Sequence, residues 1–202
     1  MLELAILGLL KQQPMHGYQL SGELGESLGG FWRVSYGSLY PTLRRLERDG
    51  LVAAVPGENT GGRRKTVFGI TEQGERAFLS QLQETPADNS SEDSRFRVRL
   101  AFFRYLPPET RIRLLERRRA FLTERLHAID ESLRTAREGA DDYALAVMEH
   151  SRDATDADVE WLGDLIRSER IKATARERDR DLERGGARSR HTAVLSRKEH
   201  TS

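Results

Sequence analysis

Leu2 to Leu10 is apolar nearly all round, with Leu2, Leu4, Ala5, Ile6, Leu7, Leu9 and Leu10 in one short run. A helix of that kind has no polar stripe to turn toward water and must be covered on more than one side. Gly8 removes a side chain and lets a neighbouring helix come close. Lys11 to Pro14 breaks the run. The pattern predicts a helix held between the elements that follow it and something later in the chain or in a second chain. His16 to Leu20 opens a second helix, with Leu20, Leu24 and Leu28 on one face and Gly29-Gly30 at its end. Leu39, Leu43 and Leu46 recur at helical spacing and predict a third helix over Tyr36–Arg48. Asp49-Gly50 ends it, because glycine can take the left-handed conformation that closes a last turn. Leu51 to Val55 and Thr66 to Ile70 read as two strands around a tip with Pro56-Gly57 and Gly61-Gly62. Thr71 then caps a fourth helix, with Gly74 at its third position, that runs to about Glu84.

Pro86 to Ser94 is polar and reads as a linker. Arg95 to Leu106 returns to helix around Phe96, Leu100 and Phe103, and Pro107-Pro108 starts another, since proline is tolerated in a first turn. From Glu109 to Arg137 a heptad places Ile112, Arg119, Leu126 and Leu133 at a, and Leu115, Leu122, Ile129 and Ala136 at d. Seven of those eight are apolar, which makes a coiled-coil seam. Leu115, Leu122, Leu126, Ile129 and Leu133 are therefore the expected dimerisation residues, the alternative being a bundle within one chain. Tyr143 to Met148 reads as a short apolar helix. Thr155 to Asp158 reads as a capping box that opens a last helix bearing Val159, Leu162, Leu165, Ile166 and Ile171. Beyond Arg176 apolar groups are few, which predicts a disordered basic tail.

Helix, helix, turn, helix and ribbon in that order are the pattern of a winged helix-turn-helix. The expected fold is mainly α with a small β wing: a head over 1–85, a helical dimerisation region over 95–176 and a tail over 177–202. The 202 residues carry a net charge of only +1, too little to argue for nucleic acid. Its distribution says more. Between Arg33 and Lys65 lie seven Arg or Lys against three acids, a basic footprint on the proposed reading head. The outer face of the third helix offers Tyr36, Ser38, Tyr40, Arg44, Arg45 and Arg48, groups suited to phosphate oxygens and base edges. Arg63, Arg64 and Lys65 stand at the wing and suit phosphates. His16 and Tyr18 open the preceding helix, where N–H groups hold a nucleic-acid backbone. The alternatives are a small α+β packing unit with a solvated charge run, and, for Tyr40, a place in the core.

HGYQL, SLYPTLRRLERDGLV, GGRRK and ITEQG, in that order and spacing, resemble the PadR family of bacterial transcriptional regulators over about Leu2 to Leu82. Phe68 stands where members commonly have tyrosine. The region from Phe102-Phe103 through Glu160-Trp161-Leu162 resembles, more loosely, the C-terminal dimerisation region of longer PadR-like proteins. The resemblance implies a homodimer that binds a double-stranded DNA operator through Tyr36 to Arg48 in the major groove, acting as a repressor. It also implies a small aromatic or drug-like effector near the dimer interface, with Trp161 as a candidate contact. Packing between helices is the alternative for that indole. A winged helix that binds protein instead of DNA is the alternative for the whole.

No cysteine is present, which excludes disulfides and thiolate chemistry. The five histidines lack the spacing of zinc ligands. Asp153, Asp156 and Asp158 lack the glycine and terminal glutamate of a calcium loop and read as favourable charges at a helix start. The glycine pairs lack the context of phosphate loops. No catalytic residue, metal or cofactor is expected, and no segment approaches the ~20 apolar residues of a membrane span. The expected location is the cytoplasm.

Overall fold

The computed structural model describes residues 1–27, 35–55, 66–84, 92–136 and 141–198. By its contacts the chain divides into two units, Met1–Leu106 and Pro107–Ser202. The linker at 86–94 had placed the division earlier, with 95–106 in the helical region. The structure moves that stretch to the first unit, because its aromatic side chains are what cover the first helix.

The first unit is built on α1 (Leu2–Leu10), whose residues Leu4 to Leu10 are all buried. Around it pack α2 (Gly17–Ser27), α3 (Tyr36–Arg48), α4 (Glu72–Gln83) and α5 (Glu92–Ala101). The cover required from later in the chain comes from α4 and from α5 with the 3-10 turn Phe103–Tyr105. A Cβ at Gly8 would lie 2.5 Å from the Phe102 ring, so any side chain there would displace that ring. Phe102 meets Phe78 of α4 edge-on at 5.7 Å, and Tyr105 meets the same ring at 5.6 Å. Buried Arg99 donates from Nε and Nη2 to the Leu82 carbonyl, at 3.1 and 2.8 Å, and so satisfies an end of α4 that would otherwise lack a partner.

The sheet has three strands in the order β1-β3-β2, formed by Met15–His16, Val67–Ile70 and Val52–Val55. The expected ribbon is β2 with β3, antiparallel, with Val52 opposite Ile70 and Val55 opposite Val67. The two-residue β1 was not expected. It pairs Met15 with Phe68 and His16 with Val67, stitching the start of α2 to the returning strand. Phe68 is buried in the same layer. The turn chemistry follows the sequence: Gly50 has φ +72°, and the Thr71 hydroxyl accepts from the Gly74 N–H at 3.0 Å. Gly74 lies so close to the Leu51 carbonyl that no side chain fits there.

The second unit is an antiparallel pair, α6 (Pro108–Ala136) against α7 (Asp142–Lys198). Leu115, Leu122 and Leu133 are buried, as are Leu162 and Ile166 of α7. The seam is thus occupied within one chain at those three leucines, because the return of α7 presents its own apolar stripe to them. Leu126 and Ile129 stay half-buried, and Arg119, the polar a position, is exposed. Four further expectations change. Tyr143–Met148 and the expected last helix are one continuous helix, since nothing between them breaks it. Thr155 is therefore no cap; it is buried and its hydroxyl donates to the Ser151 carbonyl one turn back at 2.8 Å. Asp153 and Asp156 pair with Arg152 in mid-helix. Finally, α7 continues to Lys198 in place of a disordered tail, in keeping with the helix propensity of its Ala, Arg, Glu and Leu residues.

Ion pairs set the register of the two helices: Arg111 with Glu169 at 3.1 Å near one end, Arg152 with Asp130 at 3.1 Å near the other. Burial alone would push the Glu169 carboxyl up, but hydrogen bonds and charge from Lys172 and Arg111 hold it below the ordinary 4.5. A carboxyl lowered by folding stabilises the native state above that ordinary value, and the contribution is lost as pH falls through the folded one. Glu169→Gln should therefore cost on the order of 1 kcal/mol at neutral pH, with the gap to wild type closing in acid. Urea unfolding of both proteins across that range checks it; a gap independent of pH would show that the charge is not the cause.

Candidate nucleic-acid interface

The reading face starts with α3. Leu39, Leu43 and Leu46 are buried against the first unit and fix which side of the helix looks outward. Tyr36, Tyr40 and Arg44 follow one another at every fourth residue and so share a flank. All three are exposed, Tyr36 to 51% and Tyr40 to 43%. The two rings stack, with centroids 6.3 Å apart and planes 25° apart. Ser38 is also exposed, on the other flank. Its hydroxyl donates to the Ser35 carbonyl at 2.9 Å, which leaves the oxygen as an acceptor for an incoming donor. Arg45 is tied to Glu3 of α1 at 2.7 Å, and Arg48 to its neighbour Asp49 at 3.3 Å. Among the described residues Arg44 has no ion pair. It is the arginine of this helix placed to meet an anion.

The start of α2 completes the face. His16 precedes the helix and Gln19 is its third residue, and the two cap each other. The His16 N–H donates to Gln19 Oε1 at 3.1 Å, and the Gln19 N–H donates to His16 Nδ1 at 3.1 Å. This is a capping box with imidazole in the place of a hydroxyl. With Nδ1 accepting, the ring proton of the neutral form sits on Nε2, a donor for a phosphate. Among the described residues of the head Tyr18 is the most exposed aromatic, and its ring lies 6.4 Å from the His16 ring. A Cβ on Gly17 would come within 2.9 Å of the Tyr40 ring, so α3 approaches α2 where the backbone is bare. His16, Tyr18, Tyr40, Arg44, Glu47 and Phe68 line a concavity of about 590 Å³ between these helices and the sheet.

Tyr36, Tyr40, Arg44, His16 and Tyr18 are thus brought to one region, with Ser38 across the helix. Tyr40 rests at the surface, not in the core. Arg63, Arg64 and Lys65 lie outside the described residues, as do Leu28 and the wing tip. Gln19 was missed by the sequence reading. The signal was present, since His16-x-x-Gln19 has the spacing of a capping box, but histidine is an uncommon member of it. Trp161 is 44% exposed while Leu162 beside it is buried, which sets the indole outside the packed stripe of α7. Among the described residues no helix is long and apolar enough to cross a membrane.

Helix, helix, helix and a paired ribbon, with the third helix outward and basic, define a winged helix-turn-helix. The model of the transcriptional regulator PadR-like family matches residues 6–80, and that of the virulence activator alpha C-terminal region matches 94–168. Over residues 6–80 the chain is thus similar to the PadR-like family of transcriptional regulators, a family of regulators and not of enzymes. It is 37% identical over 51 residues to the negative transcriptional regulator PadR of Bacillus subtilis, covering 25% of this chain and 28% of that one. It is 34% identical over 82 residues to a transcriptional regulator of Mycobacterium tuberculosis, covering 41% of this chain and 43% of that one. The chain thus spans less than half the length of these two curated relatives. Among solved structures, Bacillus subtilis PadR in complex with operator DNA is similar at 21% identity, with 83% of this chain and 97% of that one covered and a TM-score of 0.39. The same protein in complex with p-coumaric acid gives 22% identity, 83% and 98% coverage and a TM-score of 0.37.

Because each cap partner satisfies the other's backbone N–H, His16→Ala and Gln19→Ala should each lower stability by about 1 kcal/mol. The double variant should cost less than the sum, as groups acting in one unit do. Thermal unfolding of the three variants measures this, and simple additivity would mean that the two bonds are independent.

Proposed function

We propose that this protein is a cytoplasmic, homodimeric DNA-binding regulator, and a repressor. The observation that carries the reading is the single exposed face formed by the Tyr36–Tyr40–Arg44 flank of α3 beside the His16-capped start of α2. Hydroxyls, stacked rings and an arginine without a local carboxylate partner are what base edges and phosphates engage. In this reading α3 enters the major groove of an operator, with Ser38, Tyr40 and Arg44 at the bases. His16 and Tyr18 hold the strand beside it, and Arg63, Arg64 and Lys65 of the wing meet phosphates. The negative role named for the Bacillus subtilis relative supports repression.

Salt titration tests the DNA reading, because releasing counterions makes log affinity fall linearly with log salt. Arg44→Ala should lower discrimination between selected operator fragments and random duplex by about 1–3 kcal/mol. Replacing Arg63 and Lys65 together should weaken all sequences alike and flatten the salt slope. Binding that ignores salt would favour the alternative, a winged helix that docks on protein.

The dimer would use the apolar surface that intrachain packing leaves uncovered. That surface includes half-buried Leu126 and Ile129 on α6 and exposed Tyr143, Val147 and Trp161 on α7. Large exposed apolar groups recurring on one helix mark an interaction surface. The dimer would set the two α3 helices at half-sites about one helical turn, ~34 Å, apart. A small aromatic or drug-like effector stacked on Trp161 at that interface would change the spacing and release DNA. Val147→Glu should convert the dimer to monomer in sedimentation, and Trp161→Ala should keep the dimer but lose effector response. A Val147→Glu protein that stays dimeric places the interface elsewhere, and an effector that leaves Trp161 fluorescence unchanged binds elsewhere.

A further inference from the structure

The three arginines of α3 are not equivalent. Among the described residues Arg48 pairs with its sequence neighbour Asp49 alone, and both partners are well exposed. Arg45 is held from another element. Glu3 of α1 accepts from Arg45 Nη2 through Oε2 at 2.7 Å, and from Gln81 Nε2 of α4 through Oε1 at 2.8 Å. Both carboxylate oxygens are used, so the anion is fixed from α4 while it binds α3, and its side chain is only 26% exposed against 51% for Arg45. The surroundings are rich in cations. Burial first, then the charge of Arg95 and that of Arg45, lower the Met1 amine below its ordinary 8.0, and Glu3 acts in the opposite sense. Glu3 is therefore the acid that holds Arg45 in a crowd of positive charge. Arg45 lies one residue from Arg44, on the border of the outward face. Once released, its long side chain could sweep onto the same phosphates.

We propose that Glu3 is a specificity-determining residue of the DNA-binding head, which withholds Arg45 from phosphate and so restrains binding to DNA of arbitrary sequence. The proposal rests on the DNA-binding reading above. A cation paired with an internal carboxylate releases no counterion when DNA binds, so it adds nothing to the sequence-independent affinity. Arg44 and the tyrosines then carry a larger share of the total, and that share depends on sequence. Glu3 touches no base in this arrangement; it acts through Arg45.

The test is salt titration of the full chain on random-sequence duplex, with thermal unfolding as a check that each variant folds. Glu3→Gln should steepen the log–log slope by ~0.9, the increment of one further phosphate contact. Relative to 1 M salt, that is a gain of about eightfold in random-DNA affinity at ~0.1 M. Arg45→Gln in the wild-type background should leave the slope unchanged, because that cation was never available. The Glu3→Gln/Arg45→Gln double variant should return to the wild-type slope. A loss of packing alone would lower stability without moving the slope. An unchanged slope in Glu3→Gln, beside a salt-sensitive wild type, overturns the proposal and leaves the DNA reading standing. A steepened slope that persists in the double variant overturns the assignment to Arg45. A wild type that does not bind DNA overturns both readings together.

Discussion

Leu4 to Leu10 are buried in succession, more than one helix face can hide, and the first unit depends on that burial. Each fully buried aliphatic side chain contributes about 1.5–3 kcal/mol relative to exposure, so α1 gives more to the core than any other described helix of the unit. Its cover has to come from several directions, and it does: α2 and α3 from the reading side, α4 and α5 from the other. The consequence for function is indirect but strict. α3 packs on α1 and buries Leu39, Leu43 and Leu46, so its outward flank is set by how α1 is enclosed. Gly8 and Phe102 support the candidate face in this sense, although neither is part of it.

Polar contacts then refine what packing begins. Glu3 joins α1 to α3 and α4, Thr71 closes the turn from the ribbon into α4, and Arg99 ends α4 at the Leu82 carbonyl. In the second unit the ion pairs near each end of α6 and α7 play the corresponding part. They select one register for two stripes of leucine and isoleucine that would tolerate several. Apolar burial supplies most of the stability in both units, while charged groups decide alignment.

Much of this was legible in the residues, for local reasons. The limits of α3, the left-handed Gly50, the Thr71 cap and the close approach at Gly8 each follow from periodicity or from the steric needs of one position. What was not legible depends on partners distant in the chain. Two residues such as Met15-His16 carry no periodicity, and only pairing with Val67-Phe68 makes them a strand. The heptad of α6 states that a partner helix exists but not whose, and α7 supplies it for Leu115, Leu122 and Leu133. The aromatic stretch before Leu106 looked like the start of the helical region, because a polar linker precedes it. Its rings are drawn back to the head by the bare surface at Gly8. Thr155 shows the opposite failure, a capping spacing inside an unbroken helix, where the hydroxyl bonds to its own preceding turn. On the candidate face, the tyrosines and Arg44 announce themselves as exposed polar groups on an amphipathic helix. The lock on Arg45 does not, since Glu3 lies far away in sequence.

The stitching of β1 to β3 has a mechanical meaning. The wing's returning strand pairs with Met15-His16, and His16 in turn caps α2. A load applied at the wing is therefore passed to the opening turn of α2 through a stiff hydrogen-bonded ladder instead of a loose loop. Because Tyr40 lies against bare Gly17 at that same turn, the load reaches α3 as well. The returning strand, the helix start and α3 thus form one continuous chain of support, with the short β1 as its middle link.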